Sequence, residues 1–445
     1  MLIIIINTIA MTDTTRFTPT YNLSEISGFM NFAKGYPILP DQQKFFNIKE
    51  YSYNSQQYEI ITYDKSILSM EHIPTYGLLR SIVMHNKTLL SFAPPKSVSP
   101  DDFIEKYPSN SNMLTAEEFI EGTMINVFYD IYVKTWIIAT RNTVGGEVVF
   151  FKDSNTTFNN MFKEAMENAN LNIEKLNQKY CYSFVLQHPK NRIVTPFSVT
   201  HLYLCAVYYI NEEVAKINVC EQDLSQIREE DMWKDTDIQF PIQYPWTSFD
   251  NMIERFASLN TPYNIQGVVI KNYITGERTK IRNPCYEEIK QLKGNHSKLQ
   301  YQYLSLRKTG KLPEFFKFYP ETKKDMSNFR EQLHMFTRTL HSNYIACYVK
   351  KEQPLNVYSP QYKTHMYHLH QHFLTNLRPN KLHISNNEVI AYVNNLDPAL
   401  LMYSLNYNLR KNHIDVISAN SDQHQWVVIG TANNSTINNR VDNPH

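Results

Sequence analysis

Short apolar runs rich in β-branched and aromatic residues recur between about Tyr36 and Pro284, among them Thr123–Tyr129, Trp136–Thr140, Leu202–Ile210 and Ile265–Ile270. Runs of that length and composition predict strands. Breakers such as Gly145-Gly146 and Thr275-Gly276 separate some of them. Phe158–Asn177 has helical spacing and lies between strand regions. From Tyr286 the pattern changes: Glu287–Leu306, Lys324–Leu340 and His365–Leu377 space apolar residues by three and four, with charges between. The pattern predicts an α+β body over 36–284 and an all-α domain over 285–412. Residues 1–35 read as an N-terminal extension and 413–445 as a C-terminal segment, whose Asn-rich end, Ala432–His445, has the composition of a disordered tail. No internal repeat is visible.

The 445 residues, 42% apolar and 13% aromatic, are enough for a sizeable core and for two or three domains. Lys+Arg 44 against Asp+Glu 43 excludes a uniformly basic coat and an acidic solvating tail, and leaves local basic patches open. Only 11 glycines exclude collagen-like architectures. Cys181, Cys205, Cys220, Cys285 and Cys347 are scattered and form no CxxC pair, so neither a disulfide framework nor a zinc ribbon is signalled, and a reducing compartment fits. The opening Met1–Ile6 stops at Asn7, short of the ~20 apolar residues of a membrane span. It also lacks the basic flank of a secretory signal, and Met11 is an equal candidate for the start. The expectation is a soluble protein with no membrane partner.

Ile265–Lys271 and Lys280–Arg282 read as two strands around a turn at Thr275-Gly276. A turn centred there sets Lys271 opposite Lys280 and Val269 opposite Arg282, with Lys271, Lys280 and Arg282 on one face. Like charges facing across a ladder are unfavourable unless an anion lies between them. A phosphate is one reading; a solvated face of splayed side chains is the other. Glu121-Gly122, at the mouth of the strand Thr123–Tyr129, sets a carboxylate beside a tight backbone approach, although most such pairs are ordinary turns. Asp130–Lys134 reads as the turn into Trp136–Arg141. Between two further strands, Pro189-Lys190-Asn191-Arg192 either positions a phosphate or a partner acid, or pins loop carbonyls. His365, His368 and His372 share a helical face, but no acidic or Cys partner completes a metal shell, so no metal ligand is assigned. From Arg278 to Lys324 basic residues outnumber acids and interleave with Tyr301, Tyr303, Phe315, Phe316, Phe318 and Tyr319. That texture suits a nucleic-acid strand, and equally a solvated surface over an aromatic core.

Taken in order, these segments resemble the motif series of the ATP-dependent RNA ligases, the phage-type branch of the covalent nucleotidyltransferases, over roughly Tyr76 to Arg282. Tyr76–Ser97, ending in Pro95-Lys96, resembles the strand pair ahead of the nucleophile. Phe119-Ile120-Glu121-Gly122-Thr123 sits where the family has Lys-x-Asp-Gly-Ser/Thr. Trp136–Thr143, with Arg141, is similar to the third motif, and Pro189–Val194 to a Pro-x-Asn-Arg-Ile-Val element. Gln266–Lys271 is similar to Glu-Gly-x-Val, and Lys280-Ile281-Arg282 to the terminal Lys-x-Lys/Arg. The whole chain looks most like the RNA-ligase-like proteins of large DNA viruses.

The resemblance implies a nucleotidyltransferase (ATP-grasp-like RNA/DNA ligase) domain of antiparallel sheets with helices, ATP and Mg2+ as cofactors, and RNA or a nucleotide as partner. It places Lys280 and Arg282 on the triphosphate and Glu121 near the ribose or reacting centre, with Gly122, Arg141 and Lys271 completing the nucleotide site. It implies a cytoplasmic location, or a virion and its complexes. The departures are chemical. Phe119 stands at the nucleophile position and has no nitrogen to attack a phosphorus. Gln266 replaces a metal-associated Glu, and Val185 a second one, unless a two-residue slip brings in Gln187. No catalytic residue is therefore assigned. The leading expectation is a degenerate, phosphate-binding protein. An active ligase with Lys96 or Lys271 as displaced nucleophile and a structural virion protein are the alternatives.

Overall fold

The computed structural model describes residues 18–108, 113–149, 156–296 and 298–411. The chain divides into two compact units, one running to Lys298 and one from Leu299. The fold is α+β, with antiparallel sheets and helices in the first unit and helices alone in the described part of the second. Ala432–His445, both candidate starts and 413–445 lie outside the described residues.

Fifteen strands are described: β1 Thr20–Asn22, β2 Phe46–Tyr53, β3 Gln56–Tyr63, β4 Ile82–His85, β5 Thr88–Ser91, β6 Leu114–Glu118, β7 Thr123–Asp130, β8 Thr135–Thr140, β9 Thr143–Val144, β10 Tyr180–Gln187, β11 His201–Glu213, β12 Lys216–Glu221, β13 Gln243–Tyr244, β14 Gly267–Asn272 and β15 Arg278–Arg282. They form a seven-stranded sheet, β1-β12-β11-β10-β7-β8-β9, and two four-stranded sheets, β13-β6-β14-β15 and β2-β3-β4-β5. The large sheet is covered on both faces. One packs Cys181, Phe128 and Ala206 against Phe92, Ile60 and Leu79; the other packs Phe184, Leu186 and Val127 against Phe162, Ala165 and Trp233. That explains why β10 reads as a near-continuous apolar run rather than an alternation. The buried hydroxyl of Ser183 donates to Asn126 Oδ1 across the ladder at 2.9 Å, so neither polar group is stranded. The small sheet of β6, β14 and β15 buries Leu114, Ala116, Val268, Ile270 and Ile281 against the helix Phe249–Phe256 and Phe103. Its opposite face is polar, and the candidate site forms there.

Two boundaries differ from the pattern-based expectation. Residues from Thr20 belong to the first unit: β1 pairs with β12, and Tyr21, Leu23 and Phe29 are in its core. Three-residue strands are too short for periodicity to show them. The helix Pro284–Lys293, expected to open the helical domain, falls in the first unit, with Tyr286 and Ile289 buried. Phe158–Asn177 is α-helical only to Asn168, with a separate 3-10 turn at Ile173–Lys175.

In the second unit, helices at Leu299–Lys308, Leu312–Phe318, Lys323–Tyr344, Pro360–His372, Asn386–Asn395 and Pro398–Leu405 bury Tyr303, Leu333, Leu340, Met366, Leu369 and Val389. Ser359, Ser385 and Asp397 cap three of them through side-chain oxygens. Tyr303, Phe315 and Tyr319, aromatics of the basic run, are core residues. The aromatic-core reading therefore holds for those three, and the run itself spans the division between the units. No helix among the described residues is long and apolar enough to cross a membrane.

Candidate functional site

The hairpin β14–β15 supplies the charged face. Its register is Val269↔Lys280, Lys271↔Arg278 and Gly267↔Arg282, a two-residue slip from the expected pairing of Lys271 with Lys280. The cause lies in the turn. Asn272 Oδ1 accepts from the N–H groups of Ile274 and Thr275 at 3.0 and 3.2 Å, so the turn opens at Asn272 and centres earlier. A slip of two keeps every side chain on its expected face. Lys271, Arg278, Lys280 and Arg282 do share one face, with Glu117 and Thr115 of β6 beside them.

Lys271 already has an anionic partner within the protein. Its ammonium is ion-paired with Glu221 of β12, and Tyr21 donates to the second carboxylate oxygen at 2.8 Å. Both partners are largely buried, at 17% and 6% exposure. Lys271 and Arg278 do face each other across the ladder, and an anion does stand beside them, as like charges there require. It is the protein's own. Burial raises the Glu117 carboxyl above its ordinary range, with Lys271 and Arg278 opposing that shift. Here a cleft of about 880 Å³ opens, lined by Glu117, Glu221, Lys271, Tyr203 and Tyr273 among others.

At the other end of β15 the cations outnumber their partners. Lys280 Nζ lies 4.5 Å and Arg282 Cζ 5.4 Å from the centre of the Phe119 ring, where β6 ends. Such cation–π contacts stabilise a charge without neutralising it. Burial, then Arg278, Arg80, Arg282 and Lys290, pull Lys280 well below the usual lysine range. Burial and Arg278 lower Arg80 to about 10. Burial, Arg80, Arg282 and Lys65 lower Lys96, whose Nζ donates to Ser97 O at 2.8 Å. Arg141 extends the group: its charge leads the causes that lower Lys65, and its guanidinium sits 5.3 Å from the Tyr63 ring. The acid at this end is Glu287, 2.9 Å from Arg282 and 3.3 Å from Lys290.

Glu121 has a different task. Its carboxylate accepts from Val194 N at 2.6 Å, Thr195 N at 3.0 Å and Thr195 Oγ1 at 2.7 Å, and its carbonyl accepts from Gln187 Nε2 at 2.9 Å. Arg192 Nε donates to Val194 O and Asn191 to Thr123 Oγ1, so this loop follows the carbonyl-pinning reading. Gly122 is required: its φ is +149° and a Cβ would meet Leu186 O at 2.6 Å. Gly267, at φ +132°, lies against the Ile281 carbonyl and brings β14 close to Arg282.

The side chains gathered at this end of β15 are cations, and they do not supply the charged oxygens that a divalent cation needs. Gln266 Oε1 is buried without a partner, a neutral oxygen where a metal would need charge. Among the described residues no group of three or more His, Cys, Asp or Glu is disposed to hold a metal. His365, expected on a shared face with His368 and His372, is a core residue between Tyr392 OH and Ser404 Oγ, each at 2.9 Å. Sequence reasoning missed Arg80 outright and counted Arg278 only within the basic run. Neither carries a local motif, and only assembly of the sheets brings them together.

No family model matches the chain. It is 24% identical over 284 residues to an immediate-early protein ICP-46 homolog of Invertebrate iridescent virus 6, covering 59% of each. It is 24% identical over 245 residues to an RNA ligase of Rhodothermus phage RM378, covering 48% of this chain and 52% of that one. The chain thus spans between half and three-fifths of the length of these curated relatives. Among solved structures it is similar to a Naegleria gruberi RNA ligase with PPi, at 12% identity and a TM-score of 0.32, covering 51% of this chain and 64% of that one. An archaeal ATP-dependent RNA ligase gives 10% identity and a TM-score of 0.32, with coverage of 83% and 76%.

Proposed function

We propose that the first unit is an RNA-ligase-like nucleotidyltransferase fold that holds the phosphates of a nucleotide or of RNA in its basic cleft, with no covalent chemistry at position 119. The observation that carries this reading is the gathering of partly buried cations at this end of β15. Lys280 and Arg282 rest over the Phe119 ring, and after burial the charges of Arg80 and Arg282 help to lower both Lys280 and Lys96, with Glu287 as the acid beside Arg282. Desolvated like charges are unfavourable in isolation and become favourable when an anion lies among them. The sequence likeness to a phage RNA ligase supports phosphate of nucleotide or RNA as that anion. Phe119 supplies a ring on which cations rest, not a nucleophile. Glu121 and Gly122 act as positioning residues that fix the loop at 194–195 beside the site. The 880 Å³ cleft on the same sheet face is roomy enough for the nucleoside part.

Two measurements test this. Lys280→Gln with Arg282→Gln should weaken ATP and single-stranded RNA binding and flatten the salt dependence. An unchanged slope of log affinity against log salt would sink the reading, since each phosphate no longer neutralised takes about 0.7 off that slope for a single strand. Intact-mass spectrometry after incubation with ATP or GTP and magnesium or manganese should show no added nucleotide on the parent. A gain on Phe119→Lys alone would mean that the pocket still presents the nucleotide to position 119. A gain on the parent would point instead to a ligase with a displaced lysine, and Lys96 would then be the one to map, because Lys271 is committed to Glu221.

A further inference from the structure

Arg80 and Arg278 come from distant parts of the chain and are anchored on one dipeptide. Arg80 NH1 donates to Pro94 O at 3.2 Å, and Arg278 NH2 donates to Pro95 O at 2.7 Å. The backbone fixes the same arrangement: Val98 N donates to Arg278 O at 3.0 Å and Lys96 N to Gly77 O at 2.9 Å. Each guanidinium has five N–H donors, and these anchors use one apiece. Arg278 Nε is buried with no partner. On the β6 side of Arg278, Glu221 already holds Lys271 and Tyr21, and burial raises the carboxyl of Glu117 against the pull of Lys271 and Arg278. Two planar forks held rigidly, with donors left over, match the oxygens of a phosphate group better than a flexible ammonium does.

We propose that Arg80 and Arg278, held on the consecutive carbonyls of Pro94 and Pro95, form a phosphate clamp distinct from Lys280 and Arg282. This rests on the reading that the cleft takes phosphate, and it assigns the residues that grip one particular phosphate group. Alternate residues of a strand lie about 7 Å apart. Arg278 and Lys280 therefore serve two positions along β15 rather than one. The clamp's phosphate belongs either to the tail of a nucleoside triphosphate or to the backbone of a nucleic-acid strand.

The test uses the full chain with ATP, inorganic tripolyphosphate and a single-stranded RNA oligonucleotide as probes, over a range of salt. Arg80→Gln and Arg278→Gln should each lower affinity for at least one probe about tenfold or more. For RNA, each should also flatten the salt slope by about 0.7. Arg80→Lys and Arg278→Lys should keep the slope and still lose affinity, because charge remains and the fork does not. A loss confined to ATP and tripolyphosphate assigns the clamp to a nucleotide tail; a loss confined to RNA assigns it to a backbone phosphate. Unchanged affinity and slope in both glutamine variants, with Lys280→Gln/Arg282→Gln impaired, would overturn the clamp and leave the cleft reading standing. Unchanged binding in all of them would overturn both. Where a glutamine variant fails to fold, the corresponding lysine variant decides by the same tenfold criterion.

Discussion

Lys271 and Lys280 stand on the same face of one hairpin, and the protein treats them in opposite ways. Lys271 is given a buried carboxylate, Glu221, which is itself held by Tyr21. Lys280 is given a phenyl ring and a set of like charges. A lysine neutralised from within is part of the scaffold. A lysine left among cations is, on the proposed function, the one placed to take an anion from outside. Both residues look alike along the chain, so basic side chains in a motif are informative only once their partners are known.

The largest effect that would break this contrast is on stability. Lys271→Met leaves Glu221 charged and buried without its cation, and removing one partner of a buried pair costs about 3–5 kcal/mol. The Lys271→Met/Glu221→Leu double variant should recover most of that loss in urea melts. If Lys271→Met instead leaves stability intact and weakens RNA binding, Lys271 belongs with the ligand-facing group.

His365 of the helical unit is a second group satisfied from within, and it adds a pH dependence. Burial, with a smaller contribution from His368, lowers its pKa to about 4. The folded state therefore binds a proton less readily than the unfolded chain, whose histidine titrates near 6.5. The stabilisation is complete above about pH 6.5 and is lost as pH falls toward 4, by about 3 kcal/mol in all. Urea melts of the full chain against pH should show this in the helical transition, and His365→Gln should flatten it. A parent profile that is already flat would mean that Tyr392 and Ser404 hold the imidazolium as well as the neutral ring.

The third prediction reverses the sign of the first. Lys280→Met removes a charge that its surroundings disfavour, so the ligand-free variant should be at least as stable as the parent near neutral pH. Because the Lys280 pKa is lowered in the folded state, its charging costs stability at neutral pH. That cost fades as pH rises toward the ordinary lysine value of about 10.4. The parent should accordingly gain on Lys280→Met between neutral pH and about 10 in thermal melts. Destabilisation of the variant at pH 7 would show that the Phe119 contact outweighs the repulsion.

What the sequence could reveal follows from how far apart the interacting residues lie. The strands Thr123–Asp130, Thr135–Thr140 and Gly267–Asn272 were legible because alternation and apolar runs are local. The shared face of Lys280 and Arg282 was legible for the same reason. Their register was not, because it turned on the Asn272 side chain closing the turn early; an Asn followed by a loop with Gly276 was the available signal. Glu221 as the partner of Lys271, and Arg80 beside Arg278, depend on which sheet edge meets which. No local spacing carries that. Glu121 was picked out correctly as a carboxylate at a tight approach, yet its hydrogen bonds go to Val194 and Thr195, 73 and 74 residues away in the chain.

The smallest expected effect separates stability from binding most cleanly. Glu287 lies 2.9 Å from Arg282, but the pair is open to water, at 44% exposure for Arg282 and 27% for Glu287. Exposed pairs of this kind contribute about 0–1 kcal/mol, so Glu287→Gln should leave the thermal midpoint almost unmoved. Its effect on the ligand should go the other way. Glu287 competes with an incoming phosphate for Arg282 and Lys290, and removing it frees both cations and deepens the local positive potential. Tripolyphosphate should bind Glu287→Gln more tightly than the parent at low salt, by a few-fold, with the difference fading as salt rises and the potential is screened. The same substitution in a Lys280→Gln/Arg282→Gln background should have no such effect, because the residue it unmasks is gone. Tighter binding in that background as well would place the anion on Lys290 rather than on the end of β15, and the contrast between the two lysines would need a different explanation.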